Sequence, residues 1–184
     1  MPSKHPFQWW DKNGRLVFHQ NDVRIYNVDR QEYLFVGSIM YASTEERDWY
    51  VKNVHPHAKG RCLEVGLGLG VASKAILANP NVEHLLTVEK NEDVIAAFGR
   101  PLLHHHILSA DVETWASSVP KAFQLYDFIF VDHYVYDEDL FPSLSGLAED
   151  LGLLLKPGGK MVFWIDENAP EEEKAKIKSL YLEK

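Results

Sequence analysis

Cysteine is nearly missing from this chain: Cys62 stands alone among 184 residues. No disulfide can form within it, and the place of Cys62 in an apolar run marks a buried small hydrophobe without a redox role. Long hydrophobic runs are missing too, since nothing approaches the roughly 18 apolar residues of a membrane span. The opening Met-Pro-Ser-Lys-His-Pro-Phe-Gln-Trp-Trp lacks the apolar stretch of a secretion signal. A cytoplasmic protein with no membrane partner is therefore expected. Positive charge is in the minority, 19 Lys and Arg against 27 Asp and Glu, for a formal net charge of -8. A phosphate backbone needs a clustered basic surface, so this balance argues against nucleic acid as a partner and suits a neutral or cationic small molecule. Internal repeats and low-complexity tracts are absent.

What is present, 46% hydrophobic and 25% charged residues, has the balance of a globular domain. Two parts are expected, residues 1–55 and residues 56–184. In the first, the apolar runs Leu16–Phe18, Val23–Val28 and Tyr33–Val36 are broken by Gln20-Asn-Asp22 and Asp29-Arg-Gln31, which predicts a small antiparallel meander. Ser43-Thr-Glu-Glu46 is a capping box for a helix from about Thr44 to Val54, with Trp49, Tyr50 and Val54 on one face. From residue 56 onward continuous apolar runs alternate with helical stretches, the mark of parallel βαβ units. Strands are predicted at Arg61–Val65, His84–Glu89, His105–Ser109, Phe128–Asp132 and Lys160–Ile165. Helices are predicted near Val71–Ala78, Glu92–Phe98, Thr114–Ser118 and Leu140–Leu155, the last ended by Leu153-Leu-Leu-Lys-Pro-Gly-Gly159. Glu171–Lys184 adds one charged amphipathic helix. The fold class is α/β: a Rossmann-like doubly wound, mostly parallel sheet with an N-terminal antiparallel β-meander.

The chemistry concentrates in Cys62-Leu-Glu-Val-Gly-Leu-Gly-Leu-Gly-Val-Ala-Ser-Lys-Ala-Ile-Leu77, a strand, a turn with glycine at Gly66, Gly68 and Gly70, and a helix. Glycines allow positive φ and close approach of a ligand, and the helix N-terminus offers free N–H groups to a carboxylate. Any nucleotide cofactor would fit such a turn. Leu85-Leu-Thr-Val-Glu89 narrows the choice, because a strand ending in an acid about 20 residues beyond the glycines places a carboxylate where it can accept both hydroxyls of a ribose.

Taken in order, Glu64–Gly70, Glu89, Ser109-Ala-Asp111, Tyr126-Asp-Phe-Ile-Phe-Val-Asp132 and Leu154-Leu-Lys-Pro-Gly-Gly159 resemble the motifs of class I methyltransferases, over roughly residues 60 to 165. The resemblance implies S-adenosyl-L-methionine as the cofactor. Glu64, Gly66, Gly68 and Gly70 would line its methionine part, Glu89 would hold the ribose, and Asp111 with Val112 would meet the adenine. A carboxylate suits the donating amino group of adenine, and Asp111 is equally placed to cap the helix near Thr114; one residue can do both. Asp132, at the end of the fourth strand, would face the substrate as the catalytic residue. Within the superfamily the chain is most similar to the spermidine synthase group, through the meander, Gly37-Ser-Ile-Met-Tyr-Ala-Ser-Thr-Glu-Glu-Arg-Asp-Trp-Tyr50 and Val131-Asp-His-Tyr-Val-Tyr-Asp-Glu-Asp-Leu-Phe141. That likeness implies substrate contacts from Tyr41, His133, Tyr134 and Asp137.

Three departures refine the expectation. The glycine turn of spermidine synthases carries an aspartate that attracts the free ammonium of decarboxylated S-adenosylmethionine, and Leu69 stands there instead. An aspartate would repel the carboxylate of the ordinary cofactor, so leucine favours methyl transfer over aminopropyl transfer. The substrate-side glutamine of the group falls at Met40 or Tyr41. Finally, the antiparallel hairpin after the fifth strand has no apolar counterpart beyond Ile165, so either the meander or a second copy of the chain would cover the sheet edge.

Methyl transfer from a sulfonium is an in-line displacement in which alignment supplies much of the rate. Asp132 would orient a cationic amine or take its proton. Asp132, His133, Tyr134, Tyr136 and Asp137 form an acidic, aromatic loop that suits a cation, while Asp137, Glu138 and Asp139 serve equally to charge the N-terminus of the next helix. In His104-His-His106 alternation puts only His104 and His106 on one side, and without HExxH or spaced Cys/His sets no metal is expected. Trp49, Trp115 and Trp164 are expected as core or interface anchors, as are Trp9 and Trp10, which are alternatively a cover for the site. Besides a small-molecule methyltransferase, two readings stay open: a spermidine synthase-like aminopropyltransferase and a non-catalytic nucleotide-binding module.

Overall fold

A computed structural model of the chain describes residues 14–120, 124–132, 141–166 and 169–184. Four antiparallel strands, β1 (Arg15–Gln20), β2 (Val23–Val28), β3 (Gln31–Val36) and β4 (Ile39–Ser43), form a first sheet in chain order. One more strand is present than the apolar runs predict. In β4 a bulge breaks the alternation: Leu34 faces Ala42 and Phe35 faces Met40, leaving Tyr41 as the extra residue. The capping box then closes as expected, with the Ser43 hydroxyl accepting from Glu45 N and the Glu46 carboxylate accepting from Ser43 N. A 3-10 turn, Thr44–Glu46, leads into helix α1 (Arg47–Asn53).

The second sheet holds β5 (Gly60–Val65), β6 (Val82–Glu89), β7 (His105–Ser109), β8 (Tyr126–Val131), β9 (Leu155–Phe163) and β10 (Leu182–Glu183), in the spatial order β10-β9-β8-β5-β6-β7. All pairs are parallel except β9 with β10. Helices α2 (Val71–Leu77), α3 (Glu92–Phe98), α4 (Val112–Ser118), α5 (Phe141–Leu153) and α6 (Glu171–Lys178) connect or flank the strands. The order changes direction at β5, so the crevice above the carboxyl ends of β5, β6 and β8 is the topological switch point of an open α/β sheet.

The fully apolar strands are explained by cover on both faces. Leu63, Val65 and Ile129 pack toward α4 and α5, while Cys62, Phe128 and Phe130 pack toward α1 and α2. Cys62 is completely buried, and burial pushes its thiol up to about 12, in keeping with an inert core residue. A third cluster fixes the first sheet over the glycine turn: Val23, Ile25 and Leu34 meet Leu67 of the turn and Val94 of α3. The β1–β2 turn adds polar clamps, Gln20 and Asn21 donating to the Asp93 carboxylate at 2.5 and 2.7 Å.

Two expectations about the far edge are corrected. Strand β9 begins at Leu155, inside the segment read as a helix stop, because its partners jump from Leu155 opposite Tyr126 to Lys160 opposite Phe128. The intervening Lys156-Pro-Gly-Gly159 bulges out, and Lys156 secures it with a 2.7 Å ion pair to Asp127. The strand beside β9 is not part of the meander but this chain's own β10, in register through Leu182 and Met161.

Candidate active site

The glycine turn is shaped by backbone constraints. Gly66, Gly68 and Gly70 have φ of 88°, 50° and 65°. A Cβ on Gly70 would run into the Phe98 ring, so the turn is pressed onto α3 with no room for a side chain. Gly66 N donates to Val88 O and Asp132 N donates to Val65 O, at 2.9 and 2.8 Å, which brings the ends of three adjoining strands together.

Glu64 is fully buried beneath this turn. Its Oε2 accepts from Ser73 Oγ at 2.6 Å and from Thr87 Oγ1 at 2.5 Å. With that proton committed, the Thr87 oxygen accepts from His105 Nε2 at 2.7 Å, so a polar chain crosses three strands from Glu64 to His105. Its two ends, Glu64 Oε1 and His105 Nδ1, are buried and without partners among the described residues. Burial raises the Glu64 carboxyl to about 8 despite the two hydroxyls, and burial lowers the His105 imidazole to about 4, aided by His106 and His84.

Glu89 ends β6 beside the turn. Each carboxylate oxygen accepts one backbone N–H, from Leu67 at 3.0 Å and from Asn91 at 2.8 Å. An ionised carboxylate offers about four lone-pair sites, so capacity for two hydroxyls is left. Asp111 caps α4, its Oδ1 accepting from Thr114 N at 3.0 Å. The side chain of Val112 is buried in the core with Leu63 and Val88, which leaves its backbone as what it offers a ligand.

Asp132 carries the second polar group. Tyr50 of α1 donates to its Oδ2 at 2.7 Å, and the same hydroxyl lies 3.4 Å from Glu46 Oε2. The Asp132 carboxyl is raised to about 6, first by burial and then by Glu89, with the Tyr50 hydroxyl holding it down. Glu46 is raised to about 7, by burial and by the neighbouring Asp132. Glu46 also lines a surface hollow of about 320 Å³ with Glu45, Asp48, Asp166, Lys52 and the indoles of Trp49 and Trp164. Four carboxylates against one ammonium make it strongly acidic.

Glu64, the three glycines, Glu89 and Asp132 thus gather at one end of the sheet. Tyr41 does not join them in any hydrogen bond; the bulge turns it outward and it is 58% exposed. His133, Tyr134 and Asp137, like Trp9 and Trp10, lie outside the described residues. His104 is not in a strand with His106: it occupies the turn before β7 with φ of 60°, while His106 stacks on His84 at 4.8 Å. No metal-holding group of three or more His, Cys, Asp or Glu occurs among the described residues. Nor is any of their helices long and apolar enough to cross a membrane. Glu46, Tyr50, Ser73, Thr87 and His105 are site residues that motif reading missed. The spacing of Glu46 and Tyr50, four apart on a helical start, was the available signal that they share a face.

No family model and no curated protein matches the chain. Among solved structures it is similar to spermidine synthase from Thermotoga maritima, with a TM-score of 0.66 and 19% identity over 90% of this chain and 64% of that one. It is similar also to a spermidine synthase in complex with the transition-state analogue AdoDATO, with a TM-score of 0.65 and 19% identity over 90% of this chain and 63% of the other. The chain therefore spans less than two thirds of the length of these structures. At that identity the likeness is one of fold, and the chain has the class I methyltransferase-like fold in its spermidine synthase form, an antiparallel sheet followed by a mostly parallel one.

Proposed function

We propose that this chain transfers a methyl group from S-adenosyl-L-methionine to an amine nitrogen of a small cationic molecule. The observation that carries the proposal is the Glu46–Tyr50–Asp132 group, at the carboxyl end of β8 and beside the glycine turn. A carboxylate raised to about 6 is ionised at neutral pH yet basic enough to receive a proton from an ammonium as it becomes a nucleophile. The acidic hollow reached through Glu46 suits a cation, and Trp49 and Trp164 add aromatic faces.

The residues present fit the cofactor. Glu89 has capacity for two ribose hydroxyls, and Glu64, buried beneath the turn and bonded to Ser73 and Thr87, braces the backbone that would carry the methionine part. When bound, S-adenosyl-L-methionine supplies a methyl group activated on a positively charged sulfur. Glu89 would hold the ribose, the turn would carry the methionine part, and Asp132 would orient the amine and take its proton. Leu69 favours methyl over aminopropyl transfer, because its side chain packs with the apolar cluster below the first sheet and offers no carboxylate to a free ammonium.

Aminopropyl transfer from decarboxylated S-adenosylmethionine is the second reading, favoured by the likeness to spermidine synthases. Calorimetry with both nucleotides separates them. Binding of S-adenosylmethionine about tenfold or more tighter than the decarboxylated form supports methyl transfer, since a carboxylate in the turn would reverse that order. Tighter binding of the decarboxylated form would overturn it in favour of aminopropyl transfer. Failure to bind either would leave a module that keeps the fold without the reaction.

A further inference from the structure

A second hollow, of about 500 Å³, lies on the other side of Trp49 and has the opposite character. Its volume is that of a small-molecule site, roughly 300–1,000 Å³. It is lined by Trp49 and Asn53 of α1, Lys160 of β9, Lys174 and Lys178 of α6, and Tyr181. Lys174 and Lys178 are four residues apart, so one face of α6 brings both ammoniums to the same place, while the adjacent Ile177 is buried and fixes how the helix sits.

The ordinary account of these lysines is that they complement the C-terminal end of a helix that begins Glu171-Glu-Glu173. Three observations go beyond it. First, the side chains of Lys174 and Lys160 are only 18% and 29% exposed. Charges drawn that far out of water need compensation. Second, the compensation is thin. Lys160 lies 3.5 Å from the His57 ring and 4.0 Å from a Glu183 carboxylate that is itself exposed. Lys174 pairs with Glu171, whose side chain is 87% exposed and is also the carboxylate that feels the Lys178 charge. Three ammoniums thus share one lining carboxylate in a chain of net charge -8. Third, aromatic rings are part of the lining. The Tyr181 hydroxyl is spent on Phe163 O at 2.7 Å and its ring stacks on Phe163 at 6.3 Å, so what it offers the hollow is ring surface, in a lining that also holds the Trp49 indole.

We propose that this hollow binds a small aromatic anion, a carboxylate or phosphate ester, with its charge on Lys160, Lys174 and Lys178 and its ring against Trp49 and Tyr181. No residue assigned to the cofactor or to proton transfer lines it; Trp49 alone of the residues named for the cation is shared with the acidic hollow.

Calorimetry on the full chain with phenyl phosphate, benzoate and inorganic phosphate tests the proposal. Phenyl phosphate and benzoate are expected to saturate one site, with phenyl phosphate about tenfold or more tighter than inorganic phosphate, the margin that stacking contributes beyond charge. The double variant Lys174→Met/Lys178→Met should weaken both aromatic anions about tenfold or more, since charge-assisted contacts are the strong ones. Lys74→Met, on the exposed face of α2, should leave them unchanged. A circular dichroism spectrum matching the parent would show that α6 is intact in the double variant. Were that helix lost, Lys160→Met in β9 would carry the same expectation. Absence of saturable aromatic-anion binding, inorganic phosphate binding as tightly as phenyl phosphate, or equal weakening by Lys74→Met would overturn the proposal.

Discussion

Two carboxylates, Glu64 and Asp132, stand at the ends of adjoining parallel strands, and the fold treats them in opposite ways. Glu64 is sealed: two hydroxyls hold one oxygen, the other has no partner among the described residues, and among them the connected polar chain ends at His105. Asp132 has an exit, since its side-chain partner Tyr50 touches Glu46, and Glu46 faces a hollow open to solvent. Both are raised by burial, yet only Asp132 keeps a route by which a proton can leave. The difference teaches that a perturbed carboxyl is evidence of chemistry only when something can reach it. Under the proposed function the sealed one positions the turn and the connected one reacts.

The sharpest way to break this comparison is Asp132→Asn. With an acceptor found by screening cationic amines against labelled S-adenosylmethionine, turnover should fall by about 10²- to 10⁴-fold, the usual worth of a general base. Cofactor affinity should stay within about twofold, because the amide keeps the shape and loses only the basicity. Turnover that survives the substitution would remove Asp132 from the chemistry.

Glu64→Gln probes the sealed partner, through stability. Its folded-state value of about 8 lies above the ordinary 4.5. The native carboxyl therefore favours its proton, and the stability tied to it is complete below about pH 4.5 and is lost as pH rises to about 8. Glutamine cannot ionise, so the variant should match the parent at pH 4 and exceed it at pH 9 by an amount on the order of 3 kcal/mol, or roughly 6–12 °C in thermal midpoint. No gain at pH 9 would mean that the buried chain compensates the charge after all.

Much of this arrangement was legible beforehand, for physical reasons particular to each piece. His105–Ser109 and Glu92–Phe98 match the sequence reading to the residue, because the short apolar run Ile107-Leu108 before Ser109-Ala-Asp111 and a helix opened by Asn91 leave local marks. Gly66, Gly68 and Gly70 were legible as a turn because positive φ demands glycine. Strand β4 was missed because its bulge at Tyr41 destroys the alternation that announces a strand. The pairing of Tyr50 with Asp132 spans 82 residues, and no local pattern encodes it. Thr87 and His105 carry no motif of their own; the parallel pairing of β5 with β6 sets Thr87 opposite Glu64, and that of β6 with β7 brings His105 within reach of Thr87.

Tyr50→Phe should have a smaller effect than either substitution of an acid. The hydroxyl holds the Asp132 carboxyl down, so its loss should move the acidic limb of the pH–rate profile upward from about 6. A displacement of about one pH unit matches the worth of one hydrogen bond to a charged group, with a turnover loss of about twofold at pH 7 that grows to about tenfold at pH 5. An unmoved limb would detach Tyr50 from the titration of Asp132.

Glu46→Gln has the smallest expected effect and separates attraction of a cation from transfer of its proton. Glu46 is raised to about 7, above Asp132, first by burial and then because the ionised Asp132 repels a second negative charge nearby. In the parent, the hollow should therefore gain a charge as pH rises from 6 to 8, and a diamine such as 1,4-diaminobutane should bind more tightly over that interval. Two unit charges within a few ångström at a partly exposed site are worth about 1 kcal/mol, so the gain should be roughly fivefold. The glutamine variant should lose that rise while retaining the acidic limb near pH 6, since Asp132 and Tyr50 are untouched. If the rise persists, the charge that draws the cation belongs to Glu45, Asp48 or Asp166, and Glu46 serves Tyr50 alone. If instead the limb near pH 6 moves with Glu46, the two carboxyls titrate as one unit through the Tyr50 hydroxyl, and the reacting group is the pair.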